Sequence, residues 1–449
     1  NSDQLRAIET GDIKALSTAA LRALGTDQLN SLTSNQLQSL TSGQIAALSS
    51  APQMAALSTA NLNALTTDQI SKLTTAQVQA LTTEQINNLT TGNLNAMGTA
   101  QFASMNSDQV GALTTAQFNK LETADLRSIT TAALAGLNSD HVKALSTDEV
   151  GALTTAQVAA ISSDQLDGLS TAGVVALTSS QVGAMKSDQV VSLNTDQLRA
   201  IETGDIKAMS TAALRALDTD QLNALTSNQL QSLTSAQITA LTTDQVGALT
   251  TANLNALTTD ELGKFSSSQV KVLTTEQINN LTTANLNALG TAQFAALTSD
   301  QAGAFTTAQM NKLETADLRA LSSTALAGLN SDHIKALSTD EVGALTTAQV
   351  AAISSDQLDG LTTAGVVALT SAQVAALKSD QFSSLNTDQL RAIETGDIKA
   401  ISTAALRALA TDQLNALTSN QLQSLSSSQV AALTTDQVKA LTTANLNAL

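Results

Sequence analysis

A leucine or its equivalent recurs every eighth residue of this chain with almost no slippage, and that period decides what it can fold into. The anchors fall at Ile8, Leu16, Leu24, Leu32, Leu40 and Leu48, then at Leu57 and every eighth residue to Leu449. The second run spans 392 residues, or 49 octads, without insertion or deletion. Numbered from its anchor, the octad reads Leu, Thr or Ser, Thr or Ser, then Asp, Ala or Glu. Mostly Gln follows, then Leu, Val or Ile, a variable residue, and usually Ala; residues 241–248, LTTDQVGA, are one copy.

Two helix-start devices coincide in each octad. A hydroxyl residue at position 2 with Gln three residues later is a capping box, and the apolar residues at positions 1 and 6 form the matching hydrophobic staple. Thr242 and Gln245 are thus the expected cap of one helix, with Leu241 and Val246 as its staple. Acids gather in the first turn (Glu122, Asp125, Asp148, Glu149) and bases at positions 7 and 8 (Lys72, Lys120, Arg127, Lys143), the order the helix dipole favours. One continuous helix is excluded: eight residues at about 100° each leave an apolar stripe that turns by roughly 80° per octad and never makes a face. Strict strand alternation is absent as well.

The reading that survives is an all-α solenoid of short capped helices, one per octad. Helices of about two turns are unstable alone in water and must stack. The one- or two-residue corner is too tight for antiparallel reversal, so three or more octads per superhelical turn are expected. Asp196, Asp220 and Asp244 recur at three-octad spacing. At about 10 Å of rise per turn the array would be on the order of 200 Å long.

The core must be aliphatic, because aromatics are 1% of residues with no Trp or Tyr. Leu57, Leu62, Leu241, Val246 and Phe305 are representative core residues. All six Phe and all six Met fall at positions 1 or 6, and the small Ala302 is followed by the large Phe305 at the next anchor, as volume compensation requires. Position 7 is expected to be exposed, so that Gly247 would tolerate substitution.

A longer period overlies the octad. The segment at 1–24 returns at 194–217 and 386–409, giving 24-octad blocks that begin near 1, 194 and 386. One extra residue lies near 49–52, around Pro52, the only proline, and marks a local defect in the coil. Residues 1–449 read as a single continuous solenoid without a linker. The chain starts at Asn1 and stops in mid-pattern, as a segment of something longer would.

Chemistry needs groups that break the pattern and converge. The two histidines, His141 and His333, occupy one block position, each replacing the position 5 Gln. A metal ligand or base is one reading; a solvated first-turn side chain is the plainer one, since one His per block is too few for zinc. No Asp-x-Asp-x-Asp-Gly loop occurs, so the acids read as caps and solvated charge. There is no phosphate-binding glycine loop, no nucleophile elbow and no cysteine. No enzyme, cofactor or metal is expected. A net charge of −17 is the wrong sign for nucleic acid and for anionic lipid. No apolar run reaches the roughly 20 residues of a membrane span, so no insertion is expected.

LTTDQVGAL at 241–249 and LTTAQVAAI at 153–161 resemble octad arrays of very large secreted surface and adhesin-like proteins of Gram-negative bacteria, loosely labelled haemagglutinin-like or heme-utilisation/adhesion. The same stretch is similar to the first helix of TAL-effector repeats, but the second helix, base-reading loop and basic surface are missing. The first resemblance implies an extracellular or cell-surface structural protein. The expected role is a secreted fibre, filament or sheath that self-associates end to end or laterally. The alternatives are the passive stalk of a large bacterial adhesin, or a threonine surface that contacts ice, glycans or the cell surface.

Overall fold

The computed structural model describes residues 1–449, except the side chains of residues 50 and 51. The protein is all-helical: the described residues form 53 α-helices of four to six residues, two 3-10 turns and one π turn, one element for each of the 56 anchors. The chain divides into two compact units, Asn1–Ser232 and Leu233–Leu449.

Each corner is made locally. Leu241 closes the helix Ser235–Ala240 at φ −55° and ψ 137°, and Thr242 follows at φ −73° and ψ 160°. Two successive extended residues turn the chain, and no described residue takes a positive φ. Glycine is therefore not required at the helix ends, where a left-handed C-terminal cap would have called for it. The next helix, Thr243–Gly247, starts with a reciprocal cap. The Gln245 N–H donates to Thr242 Oγ1 at 3.1 Å, and the Thr242 N–H donates to Gln245 Oε1 at 3.0 Å. Thr243, the first helical residue, is exposed. Thr242→Ala is expected to destabilise each octad by about 1 kcal/mol, and Thr243→Ala by almost nothing. Melting of short consensus arrays carrying one or the other change in every octad checks this; the Thr242-type array melts first.

Positions 1 and 6 make the core. Leu57, Leu62, Leu241, Val246 and Phe305 are all buried, and position 6 side chains away from the two ends of the array are sealed almost completely. Burying such a side chain stabilises by roughly 1.5–3 kcal/mol, which two-turn helices need if they are to persist. Ala302 and Phe305 are both buried, and the Phe305 ring lies 6.5 Å from that of Phe294.

Within each unit the helices stack into coils. In the first unit Ser187–Ser192 packs on Thr211–Ala216, and in the second Ser299–Gly303 packs on Ser323–Leu326, in both cases three octads on. Side chains at the start of a helix reach instead to the helix four octads back: Gln181 Nε2 donates to the carbonyls of Val150 and Leu153, both at 2.8 Å. A turn of the coil therefore takes more than three octads and fewer than four.

Position 7 differs from its expected role as free surface. Arg199 Nε donates to the Ala224 carbonyl at 2.9 Å, and Asn119 Nδ2 to the Ala144 carbonyl at 2.6 Å. A Cβ on Gly247 would lie 3.3 Å from the Val272 carbonyl oxygen. The side chain at this position leaves the helix toward the adjacent coil, so length and polarity decide what it does.

The extra residue near 49–52 is absorbed in a π turn, Ser50–Met54, whose Met54 N–H reaches the Ser49 carbonyl five residues back at 3.2 Å. Gln53 still reaches the carbonyls of Leu21 and Leu24, at 2.8 and 2.9 Å, so the stacking register continues beyond the insertion. Pro52 sits in the first turn, where a missing N–H leaves no bond unmade.

Candidate functional site

The polar position that the fold buries most regularly is position 5, outside the first coil and a few later octads. Gln157 shows its ordinary form. Its Oε1 accepts from the Thr154 N–H at 2.9 Å, and its Nε2 donates to the carbonyls of Leu126 and Ile129 at 2.8 and 2.9 Å. One planar amide caps its own helix and also satisfies the C-terminal carbonyls of the helix four octads back. Gln349 repeats this in the second unit, with the carbonyls of Leu318 and Leu321. These glutamines are nearly inaccessible to solvent, and a buried amide with all its bonds made is the arrangement that a low-dielectric interior requires.

The capping half of this arrangement is legible in the sequence; the ladder between coils is not. A signal was present. A capping box accepts Glu as readily as Gln, yet an acidic chain uses Gln at most of these positions. Only the amide has N–H groups to offer the carbonyls above it.

The departures from Gln show what the socket accepts. His141 is 4% and His333 5% exposed, which corrects the expectation of solvated first-turn side chains. Nδ1 of His141 takes the Asn138 N–H at 3.1 Å, and its Nε2 lies 2.6 Å from the Leu113 carbonyl oxygen. A carbonyl only accepts, so Nε2 carries the proton and the ring is the neutral tautomer. His333 repeats this with Asn330 and Phe305. Imidazole thus copies the acceptor and donor of glutamine, and both nitrogens are occupied. No group of three or more metal-ligating side chains occurs among the described residues.

Asn is too short to reach its own cap. Where it occupies position 5, an Asn at position 7 about 30 residues earlier supplies the missing acceptor: Thr282 N–H donates to Asn255 Oδ1 at 3.1 Å, and Asn285 Nδ2 donates to the same oxygen at 3.2 Å. Asn415 serves Thr442 and Asn445 in the same way.

Asp125 and Asp317 are the acid counterparts of this short residue. Burial, and then the neighbouring carboxylates Glu122 and Glu314, push their carboxyls up to about 6. Asn95, 30 residues before Asp125, keeps a buried Oδ1 with no partner. A carboxyl raised on folding binds its proton more tightly in the folded state. Its stabilising contribution is therefore fully present below about pH 4 and is lost as pH rises through about 6. Asp125→Asn and Asp317→Asn together are expected to raise the melting temperature at pH 7.5, with the advantage shrinking to nothing near pH 4. Thermal melts across that range check it, and a constant advantage would refute the assignment.

Clefts open between coils at recurring places. One of about 410 Å³ is lined by Asp140, Lys143, Asp167, Gly168 and Asp196. Another is lined by Leu121, Glu122, Ser146, Asp148 and Glu149. Both are shallow and open; in the second, the Ser146 hydroxyl donates to the Glu149 carboxylate at 2.8 Å.

A family model described as the ALTTAQ repeat matches this chain in overlapping or adjoining segments, from 5–42 and 39–75 through to 390–427 and 419–449. No curated protein matches it. Among solved structures, one titled "Structure of APUM23-GGAAUUGACGG" is similar over 99% of this chain and 96% of that chain at 11% identity, with a TM-score of 0.18, too low to support any statement about this chain. No helix among the described residues is long and apolar enough to cross a membrane.

Proposed function

The chain belongs to the ALTTAQ repeat family, and we propose that its array is the structural member of an extracellular fibre or sheath, not a catalyst or a nucleic-acid reader. The observation that carries this reading is the position 5 ladder. Its buried amides tie each coil to the one before through carbonyls 28 and 31 residues back, as in Gln109, Gln189 and Gln357. A polar position repeated in nearly every octad is spent on holding the stack together. Such an array resists extension, because pulling two coils apart breaks several buried hydrogen bonds at once. The octad resemblance to secreted surface proteins and the lack of cysteine are in keeping with a place outside the cell.

Electron microscopy of the purified chain tests the fibre. Filaments or lateral bundles that grow with protein concentration are expected, and dispersed particles at every concentration would exclude it. The charge of −17 favours a second reading, a stalk that stays single because its copies repel. Sedimentation at low and high salt separates the two. Association that strengthens as salt screens the charge belongs to a fibre; a monomer at every ionic strength belongs to a stalk.

A further inference from the structure

Among the described residues, Asn95 Oδ1 is the one buried side-chain oxygen or nitrogen that no hydrogen bond satisfies. The amide is held from its other side, where Nδ2 donates to the Lys120 carbonyl at 2.8 Å. Turning the amide over would forfeit that bond, so the oxygen stays where it is. Three asparagines at the same octad position show what such an oxygen ordinarily meets. Asn30 Oδ1 accepts from Asn61 Nδ2 at 3.3 Å, Asn255 Oδ1 from Asn285 Nδ2 at 3.2 Å, and Asn415 Oδ1 from Asn445 Nδ2 at 3.1 Å. In each pair the donor is the position 5 amide 30 or 31 residues on. For Asn95 the residue at that place is Asp125, which is 5% exposed. Carboxyl and carboxamide share one shape, but an ionised carboxylate has no hydrogen to give, and a protonated carboxyl has one.

We infer that Asn95 and Asp125 form a proton-operated clasp between coils: with a proton taken from solvent the Asp125 carboxyl donates to Asn95 Oδ1, in the role of the asparagine amide, and without it the clasp is open. The surroundings favour the proton. Burial, and then Glu122, push this carboxyl up to about 6. The helix Thr123–Ser128 packs on Thr99–Phe102, which carries no charge, and on Thr147–Ala152, which carries Asp148 and Glu149. The helices Thr91–Asn95 and Thr155–Ala160 carry no charge either, and the bases nearest in sequence are Lys120 and Arg127. The second unit repeats the register: Asn287 Nδ2 donates to the Lys312 carbonyl at 2.6 Å, and Asp317, 30 residues on, is pushed up to about 6 by burial and Glu314. A carboxyl raised on folding adds stability that is complete below about pH 4 and lost as pH rises through about 6. The array is therefore tied more firmly at these places in mild acid than at neutral pH.

The test uses the full chain and local hydrogen exchange at about pH 5 and about pH 7.5, corrected for the intrinsic effect of pH on exchange. In the native chain, protection of residues 122–128 is expected to fall on the order of tenfold from the lower pH to the higher. Asp125→Asn supplies a permanent amide donor, so it should hold the acid-level protection at both. Asn95→Ala removes the acceptor, and in that background Asp125→Asn should recover little of the protection at pH 7.5. The four chains form a double-mutant cycle, which separates the pair from the loss of the Asn95 bond to Lys120. Unchanged protection in 241–248, in the other unit, reports that each variant is folded. An equal gain from Asp125→Asn with and without Asn95 would mean that burial alone acts on the carboxyl, and would overturn the clasp. Protection of 122–128 that does not change with pH in the native chain would overturn it as well.

Discussion

Replacing Gln157 with leucine is expected to loosen two coils at once. The change removes the acceptor for the Thr154 N–H and the donor to the carbonyls of Leu126 and Ile129. The half-buried Thr154 N–H and the buried Ile129 carbonyl are left without that partner, each at about 1–3 kcal/mol, while the Leu126 carbonyl keeps the Ile129 N–H. The gain from an added apolar side chain does not offset that, and the net cost is on the order of 3 kcal/mol or more. Gln157→His should cost far less, about 1 kcal/mol, because imidazole retains the cap and one donor, as His141 does with Asn138 and Leu113. Hydrogen exchange measures this locally, which suits an array whose stability is a sum of neighbouring terms. Faster exchange is expected both in 154–161 and in 123–129 of the leucine variant. Loss of protection confined to 154–161 would show that the amide acts only as a cap.

Adding a single methyl group at Gly136 or Gly328 is expected to be worse than most changes of that size. A Cβ on Gly136 would lie 1.8 Å from the Ser107 carbonyl oxygen, and one on Gly328 would lie 1.9 Å from that of Ser299. Gly111 faces Gly136 in turn, with a Cβ at 2.4 Å from its carbonyl oxygen. Both partners are backbone, so the coils themselves must separate, and overpacking of this kind costs about 1–3 kcal/mol or more. The φ angles are ordinary, so the glycine serves close approach and not an unusual backbone conformation. Gly92→Ala is the contrasting change. It lies within the helix Thr91–Asn95 with nothing near its Cβ, and it should stabilise by about 0.5–1 kcal/mol through helix propensity. Chemical denaturation of the three single variants checks the signs, and Gly136→Ala unfolding no earlier than the native chain would show that the coils are not in contact there.

What the sequence determined by itself is everything that acts within about one octad. The helices begin where a hydroxyl or Asn stands three residues before a Gln, because the cap closes over that distance, as it does between Thr242 and Gln245. Leu241 and Val246 are buried because the staple pairs them within one corner, and the same pattern marks Leu57, Leu62 and Phe305. The tertiary structure decided the features that depend on partners 25 to 32 residues away. The second function of Gln157, the burial of His141 and His333, the pairing of Asn285 with Asn255 and the approach of Gly136 to Ser107 all depend on how many octads close a turn. The octad is blind to that number. A lone His at position 5 therefore read as a solvated side chain, although it lies against the carbonyl of a preceding coil. Local capping energy sets where each helix starts; coil stacking, with more than three and fewer than four octads per turn, sets which polar atoms meet.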